Sequence, residues 1–304
     1  MNLHHDDRNG NHARSPIWQR GWKAQVRGAC FIALFFLLGA SPMSAIAGEV
    51  TTDSASHSQW EFGIGLGGLS IPHYRGSGQS YEYLAPIPYV RYHGDRLKVD
   101  REGGRYYFYD ARKVKLDLSA TFSFPVKSDE NTARQGMPDI DALLELGPRL
   151  QWYIWESEDS HLRLRVGAPL RVAINLSTAD NEGVFFSPYF QIRYYSVMET
   201  AFSMGPMWAS EKYHDYFYEV DSRFATSQRP AYDARAGYSG FRFTLTTSHR
   251  ISKRYWWGGF VRYDTLSGAV FEDSPLVRQK DSLMAGFAIA YIFNPVKKYY
   301  KDKK

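Results

Sequence analysis

Seven arginines recur at alternate positions of otherwise apolar segments, and guanidinium groups in such rows are suited to hold carboxylate or phosphate oxygens. They are Arg149, Arg163, Arg165, Arg171, Arg193, Arg242 and Arg262, with Lys115 in the same phase and Asp117, Glu145 and Glu61 as the opposing acids. Gathered around one space, these cations would favour anions if the space is open; if the charges pair and pack, they would fill it instead. Other chemistry finds little support. The histidines beyond residue 47 are His57, His73, His93, His161, His214 and His249, none two or four residues from another, and Cys30 is the single cysteine. That spacing argues against a metal centre, and no cofactor is expected. No G-x-S-x-G stretch or phosphate loop occurs. Ser248-His249 is a poor nucleophile–base pair, because adjacent strand residues point to opposite faces. Asp139 and Asp141 share a face and could hold a cation, although such residues more often begin a strand at the water interface. The chain does not read as an enzyme.

The elements that would position these residues follow period two, which places large apolar side chains on one face of a strand. Trp60, Phe62, Ile64 and Leu66 alternate with Glu61, Gly63 and Gly65; Leu116, Leu118, Ala120 and Phe122 alternate with Lys115, Asp117, Ser119 and Thr121. Comparable runs cover 140–154, 162–172 and 283–293. Several exceed ten residues, whereas strands of soluble proteins run to about five or six. Long strands with one apolar face and one polar or small-residue face suit a sheet that closes on itself in lipid, where every backbone donor and acceptor must be paired. The fold class is therefore all-β: a transmembrane antiparallel β-barrel. Its twelve strands are expected near 59–71, 82–94, 96–109, 113–125, 139–154, 160–174, 184–195, 198–209, 213–221, 236–250, 253–266 and 281–293. Ten remain if the third, broken by Gly103-Gly104, and the ninth are not strands. Short links such as 93–95 and 252–253 suit the periplasmic side; the longer links 126–138, 176–183, 222–235 and 267–280 suit the outside. Aromatic clusters at strand ends (Tyr106, Tyr107, Tyr109; Trp152, Tyr153, Trp155; Tyr194, Tyr195; Tyr255, Trp256, Trp257) fit girdles at the headgroup level. Gly63, Gly65 and Gly286 would leave room on the inner wall.

Composition agrees. The 304 residues include 22 Tyr, 19 Phe and 8 Trp, too much apolar area for a disordered chain, and no apolar run reaches the 18 residues of a membrane-spanning helix. Residues 1–47 have the order of a secretory signal: a basic stretch with Arg14, Arg20, Lys23 and Arg27, an apolar run from Ala29 to Ala40, and a small-residue cleavage site at Ala45-Ile46-Ala47 before Gly48. The domains read as signal peptide 1–47, outer-membrane barrel 48–293 and basic tail 294–304. Removing the signal leaves 32 basic and 30 acidic residues, and five of the lysines lie in the tail. This balance lacks the dense basic face of a nucleic-acid binder. The tail is a solvated charge run or a contact for anionic lipid.

Particular stretches resemble the MipA/OmpV family of outer-membrane proteins. They are Pro72-His73-Tyr74-Arg75-Gly76-Ser77, Pro86-Ile87-Pro88, Gly136-Met137-Pro138-Asp139-Ile140-Asp141, Tyr213-His214-Asp215-Tyr216-Phe217-Tyr218, Pro230-Ala231-Tyr232-Asp233 and Asp273-Ser274-Pro275-Leu276-Val277. The resemblance implies a location in the outer membrane among its lipids. It also implies a scaffold linking a lytic transglycosylase to a murein synthase, with a porin-like channel for small, anionic solutes through the arginine-lined lumen as the alternative. One departure is visible: such barrels tend to end on the aromatic residue of the last strand, and here Asn294 to Lys304 follow Phe293.

Overall fold

A computed structural model describes residues 59–94, 96–100 and 103–296. Its strands are β1 Gln59–Pro72, β2 Ser80–His93, β3 Leu97–Asp100, β4 Gly103–Asp110, β5 Val114–Ser123, β6 Leu143–Glu156, β7 Leu162–Asn175, β8 Asn181–Phe186, β9 Tyr189–Tyr195, β10 Glu199–Ala209, β11 Gly237–Arg250, β12 Tyr255–Thr265 and β13 Asp281–Ile292, and the α-helix among the described residues is α1, Glu211–Tyr218. Every pairing is antiparallel, and β13 returns to β1 with Gly63 opposite Ile292 and Ser70 opposite Ala285, so the sheet closes. β8 and β9 both pair with β7 and with β10, and together occupy one place in the wall. The result is a twelve-stranded barrel.

The number twelve is reached by a different route from the one the alternation suggests. The stretch 213–221 is not a strand: its buried residues Tyr213, His214, Phe217 and Tyr218 follow helical spacing and form α1. The stretch 96–109 is two strands, β3 and β4, paired from Leu97–Tyr106 to Asp100–Gly103. The stretch 184–195 is interrupted at Ser187-Pro188 between β8 and β9. The strand foreseen from residue 139 starts at Leu143. The signal segment with its cleavage residues Ala45, Ala47 and Gly48, and the tail beyond residue 296, lie outside the described residues.

Alternation sorts the side chains as lipid requires. Ile64, Leu84, Trp152, Leu283 and Phe287 point outward and are 53–62% exposed, while Glu61, Asp117 and Gln151 on the opposite phase are fully buried. In water this would be an inside-out protein; in a bilayer it is the expected arrangement. Of the aromatic clusters, Trp152, Trp155, Tyr194 and Tyr255 are exposed as a girdle requires. Tyr107 is a correction: it is 6% exposed and faces inward, with Lys98 Nζ 4.8 Å and Lys115 Nζ 5.5 Å from its ring centre. The inner-wall glycines are corrected too. A Cβ at Gly63 would strike the carbonyl oxygen of Tyr291, one at Gly65 that of Ile289, and one at Gly286 the ring of Phe260. These glycines permit close approach and leave no room.

The main apolar core lies at one end of the barrel, among the long links. Val126, Ile140, Val220, Leu266, Phe271 and Leu276 from the loops pack with Leu143, Phe185 and Met207 from strand ends. Short turns join the strands at the other end, where the described chain begins and ends. By the usual polarity of such barrels the packed end is the outer one.

Candidate functional site

The inward charges form bonded groups rather than a row of free cations. Asp117, on β5, accepts from Arg149 Nε at 2.9 Å and Nη2 at 3.0 Å on the neighbouring β6. Gln151 also donates to Asp117 and accepts from Arg165 at 2.6 Å, which extends the group to β7. Nearer the short turns, Lys115 pairs with Asp110 at 2.6 Å, Arg163 with Glu156 at 2.7 Å and Arg193 with Glu199 at 2.6 Å. Nearer the packed end, Arg242 makes two 2.7 Å bonds to Asp264, and Arg171 donates to Ser119 Oγ at 2.7 and 3.0 Å. Glu145 accepts from Thr121 at 2.8 Å and from Tyr213 at 2.7 Å. Arg262 sits 3.7 Å from the Met284 sulfur, and its Nε is buried without a partner among the described residues.

The residues expected to line the lumen thus all occupy the inward phase, but in at least three separate groups. Asp264 and Arg250, which the sequence reading overlooked, belong with them. Arg250 makes two 2.9 Å bonds to Glu61. Both were legible in principle, since each lies in phase with an arginine already singled out, Arg262 and Arg242. Ser248 is buried while His249 is half-buried on the other face and bonds the Val197 carbonyl at 2.6 Å, so the two do not meet. Asp139 is held by Lys127 and the Ser128 N–H, whereas Asp141 accepts from Asn175. Among the described residues no acidic, histidine or cysteine cluster could hold a metal.

The outer mouth is filled by a cap built from the family-like stretches. Tyr74 donates to the Leu276 carbonyl at 2.8 Å, Tyr218 to the Arg75 carbonyl at 3.0 Å and Ser274 to the Tyr218 carbonyl at 2.7 Å. Arg75 reaches Ser239 on β11 through 2.7 Å bonds to its carbonyl and hydroxyl. Tyr218 stacks on Phe271 with ring centres 3.8 Å apart, and His214 lies 4.6 Å from the same ring. Segments far apart in sequence therefore meet in one plug. α1 ties it to the wall through Tyr213, which stacks on Phe185 and donates to Glu145.

The cap carries a pH response. His214 is fully buried, with Nδ1 2.6 Å from the Arg235 carbonyl and Nε2 3.0 Å from Ser239 Oγ. Burial lowers its pKa to about 4. A histidine held neutral loses stability on acidification, because the opened cap takes up a proton near pH 6.5 that the closed cap refuses until about pH 4. Its neighbour Asp215 is shifted the other way, to about 6, by partial burial and then by Glu219. It takes up its proton in the closed cap first and so opposes the loss, but it is far more solvated. Net loosening is expected between pH 6.5 and 4, read as faster amide exchange in α1. His214→Gln, which keeps the shape and a donor, should flatten that profile; an unchanged profile would assign it elsewhere.

The family model described as MltA-interacting protein MipA matches residues 64–293. The MltA-interacting protein of Escherichia coli (strain K12) is 24% identical over 249 residues, covering 80% of this chain and 94% of the relative, and the Shigella flexneri protein of that name matches equally. Among solved structures, a bacterial polysaccharide outer membrane secretin has a TM-score of 0.41 at 10% identity, covering 77% of this chain and 98% of its own. An outer membrane channel from Pseudomonas putida F1 has a TM-score of 0.39 at 10% identity, covering 80% and 100%.

Proposed function

Because this chain belongs to the MltA-interacting protein MipA family, we propose that it is an outer-membrane scaffold that holds a lytic transglycosylase, and with it a murein synthase, at the periplasmic rim. The observation that carries this reading is the packed cap. With the outer mouth filled and most inward guanidiniums already bonded, a solute would have to displace both an apolar core and several ion pairs. The periplasmic rim is better suited to work. Val197 and Ile251, on turns joined by the His249–Val197 bond, are 66% and 57% exposed, beyond what a solvated turn needs. Beside them the chain leaves the barrel on a fixed path. Asn294 accepts from the Phe62 N–H and donates to the Trp60 carbonyl, both at 2.7 Å, which sets the start of the basic tail.

The test is capture of a soluble lytic transglycosylase by the barrel in vesicles. Binding is expected, and Val197→Asp with Ile251→Asp should weaken it about tenfold, equivalent to 1.4 kcal/mol. Removing residues 297–304 should weaken it further. No capture by the unmodified barrel would end the scaffold reading. Capture indifferent to both changes would move the contact elsewhere on the rim.

A further inference from the structure

The barrel closes as a ring, but its wall is not complete. β2 pairs with β3 only at Tyr92–Val99 and His93–Lys98, and β4 pairs with β5 only from Asp110–Lys115 to Tyr106–Leu118. Toward the outer end, Glu82–Val90 of β2 and Ala120–Phe122 of β5 therefore face each other with no strand between them among the described residues. Two strand places are vacant there, each normally about 4.8 Å wide. Above the gap the Tyr83 and Phe124 rings meet at 5.9 Å, and Tyr81 donates to Glu130 of the cap; below it lies the β3–β4 hairpin. Thr121 is on the inward phase of β5, yet it is solvent-exposed, as a side chain beside an opening would be.

The edges suit contact with lipid. Gly94 N–H donates to the Leu97 carbonyl, so the even-numbered residues of β2 direct their backbone polar groups toward β3 and, higher up, toward the gap. Pro86 and Pro88 are two of those residues and carry no N–H. Unpaired donors in hydrocarbon cost several kcal/mol each, and here two are absent by chemistry. The same absence makes the edge a poor template for an added protein strand. Inside the gap the β2 wall is apolar, with Ala85 and Ile87 buried against Ala288 and the Tyr83 and Phe124 rings. Beyond it stand Arg171, bonded only to a hydroxyl, and Arg262, which reaches no carboxylate among the described residues. The arrangement offers an apolar side entrance leading to under-neutralised cations.

We propose that the gap between β2 and β5 is a lateral port for a single-chain anionic amphiphile, a long-chain carboxylate. Its alkyl chain takes the place of the Tyr83 and Phe124 rings against Ala85 and Ile87, and its head group meets Arg262 and Arg171. The port is independent of the scaffold reading, since it uses the opposite half of the barrel.

A sixteen-carbon carboxylate bearing a diazirine in its chain, photolysed with the intact barrel in phosphatidylcholine vesicles, tests this by peptide mapping. Adducts are expected on the inward residues Ala85, Ile87 and Thr121. Adducts confined to lipid-facing Leu84 or Phe287 would overturn the port. So would a polypeptide strand found hydrogen-bonded along β2. Arg262→Gln should reduce interior labelling about tenfold for the carboxylate and leave the matching long-chain alcohol unchanged. Equal loss for both probes, or no loss for either, would overturn the head-group assignment. Ile87→Trp, chosen to fill the passage, should abolish interior labelling, with folding of each variant verified by heat-dependent gel mobility.

Discussion

Phe271→Ala is expected to open the cap while leaving the barrel intact. Phe271 is fully buried between Tyr218 and His214, and neither ring has another partner of equal overlap. Truncating a buried phenylalanine costs about 3–5 kcal/mol, because the transferred area is lost and the cavity only partly collapses. The cap loops have few ladder bonds of their own, so the loss falls on their local stability and not on the wall. Protease cleavage in 222–235 and amide exchange in α1 should accelerate by a hundredfold or more, since 1.4 kcal/mol is about tenfold. In a planar bilayer the unmodified barrel should stay silent and the variant should conduct. Steady current from the unmodified protein would mean that solutes pass the cap, and would restore the channel reading. The lipid-facing control Phe287→Ala should change neither measurement.

Glu61→Ala is expected to weaken the seam where the barrel closes. Glu61 is fully buried at the start of β1, takes both nitrogens of Arg250 at 2.9 Å, and also accepts from the Val296 N–H at 2.8 Å. Breaking a buried pair from one side costs about 3–5 kcal/mol, mostly because the remaining charge is left without compensation. The midpoint of urea unfolding, followed by heat-dependent gel mobility, should fall accordingly. Replacing both partners, Glu61→Leu with Arg250→Met, should recover much of the loss. A double variant as weak as the sum of its singles would show that the two residues act independently.

The wall was legible in the sequence because alternation is a local property: each strand of Phe62-Gly63-Ile64 type announces its own faces. The cap was not. Val126, Val220, Phe271 and Leu276 lie in stretches with too few consecutive apolar residues to signal burial, and each is buried by packing against other segments: Val126 bridges to Ile140, Val220 to Tyr232, Phe271 stacks on Tyr218 and Leu276 meets Tyr74. Tyr213 to Tyr218 is short and aromatic, and six residues of that kind fit either period until Phe185 and Phe271 supply the surfaces they pack on. The hairpin of β3 and β4 hid in a similar way. A Gly-Gly pair next to a four-residue strand reads as a blemish in one long strand, and only the pairing of Leu97 with Tyr106 through Asp100 with Gly103 shows it as a hairpin. The charged site was half visible: phase identified which arginines face inward, but not that Asp264, Ser119 and Gln151 would divide them into groups.

The Asn294 side chain has the donor and acceptor of a peptide group, and it uses them on β1 as one more residue of β13 would. A pull on the chain beyond it, along the strand direction, therefore meets that amide, the Val296–Glu61 bond and the whole β1–β13 ladder loaded together in shear. Peeling, which breaks bonds one at a time, would need a sideways force. A murein-bound enzyme hanging from this end could transmit mechanical load from the cell wall to the membrane without unzipping its anchor.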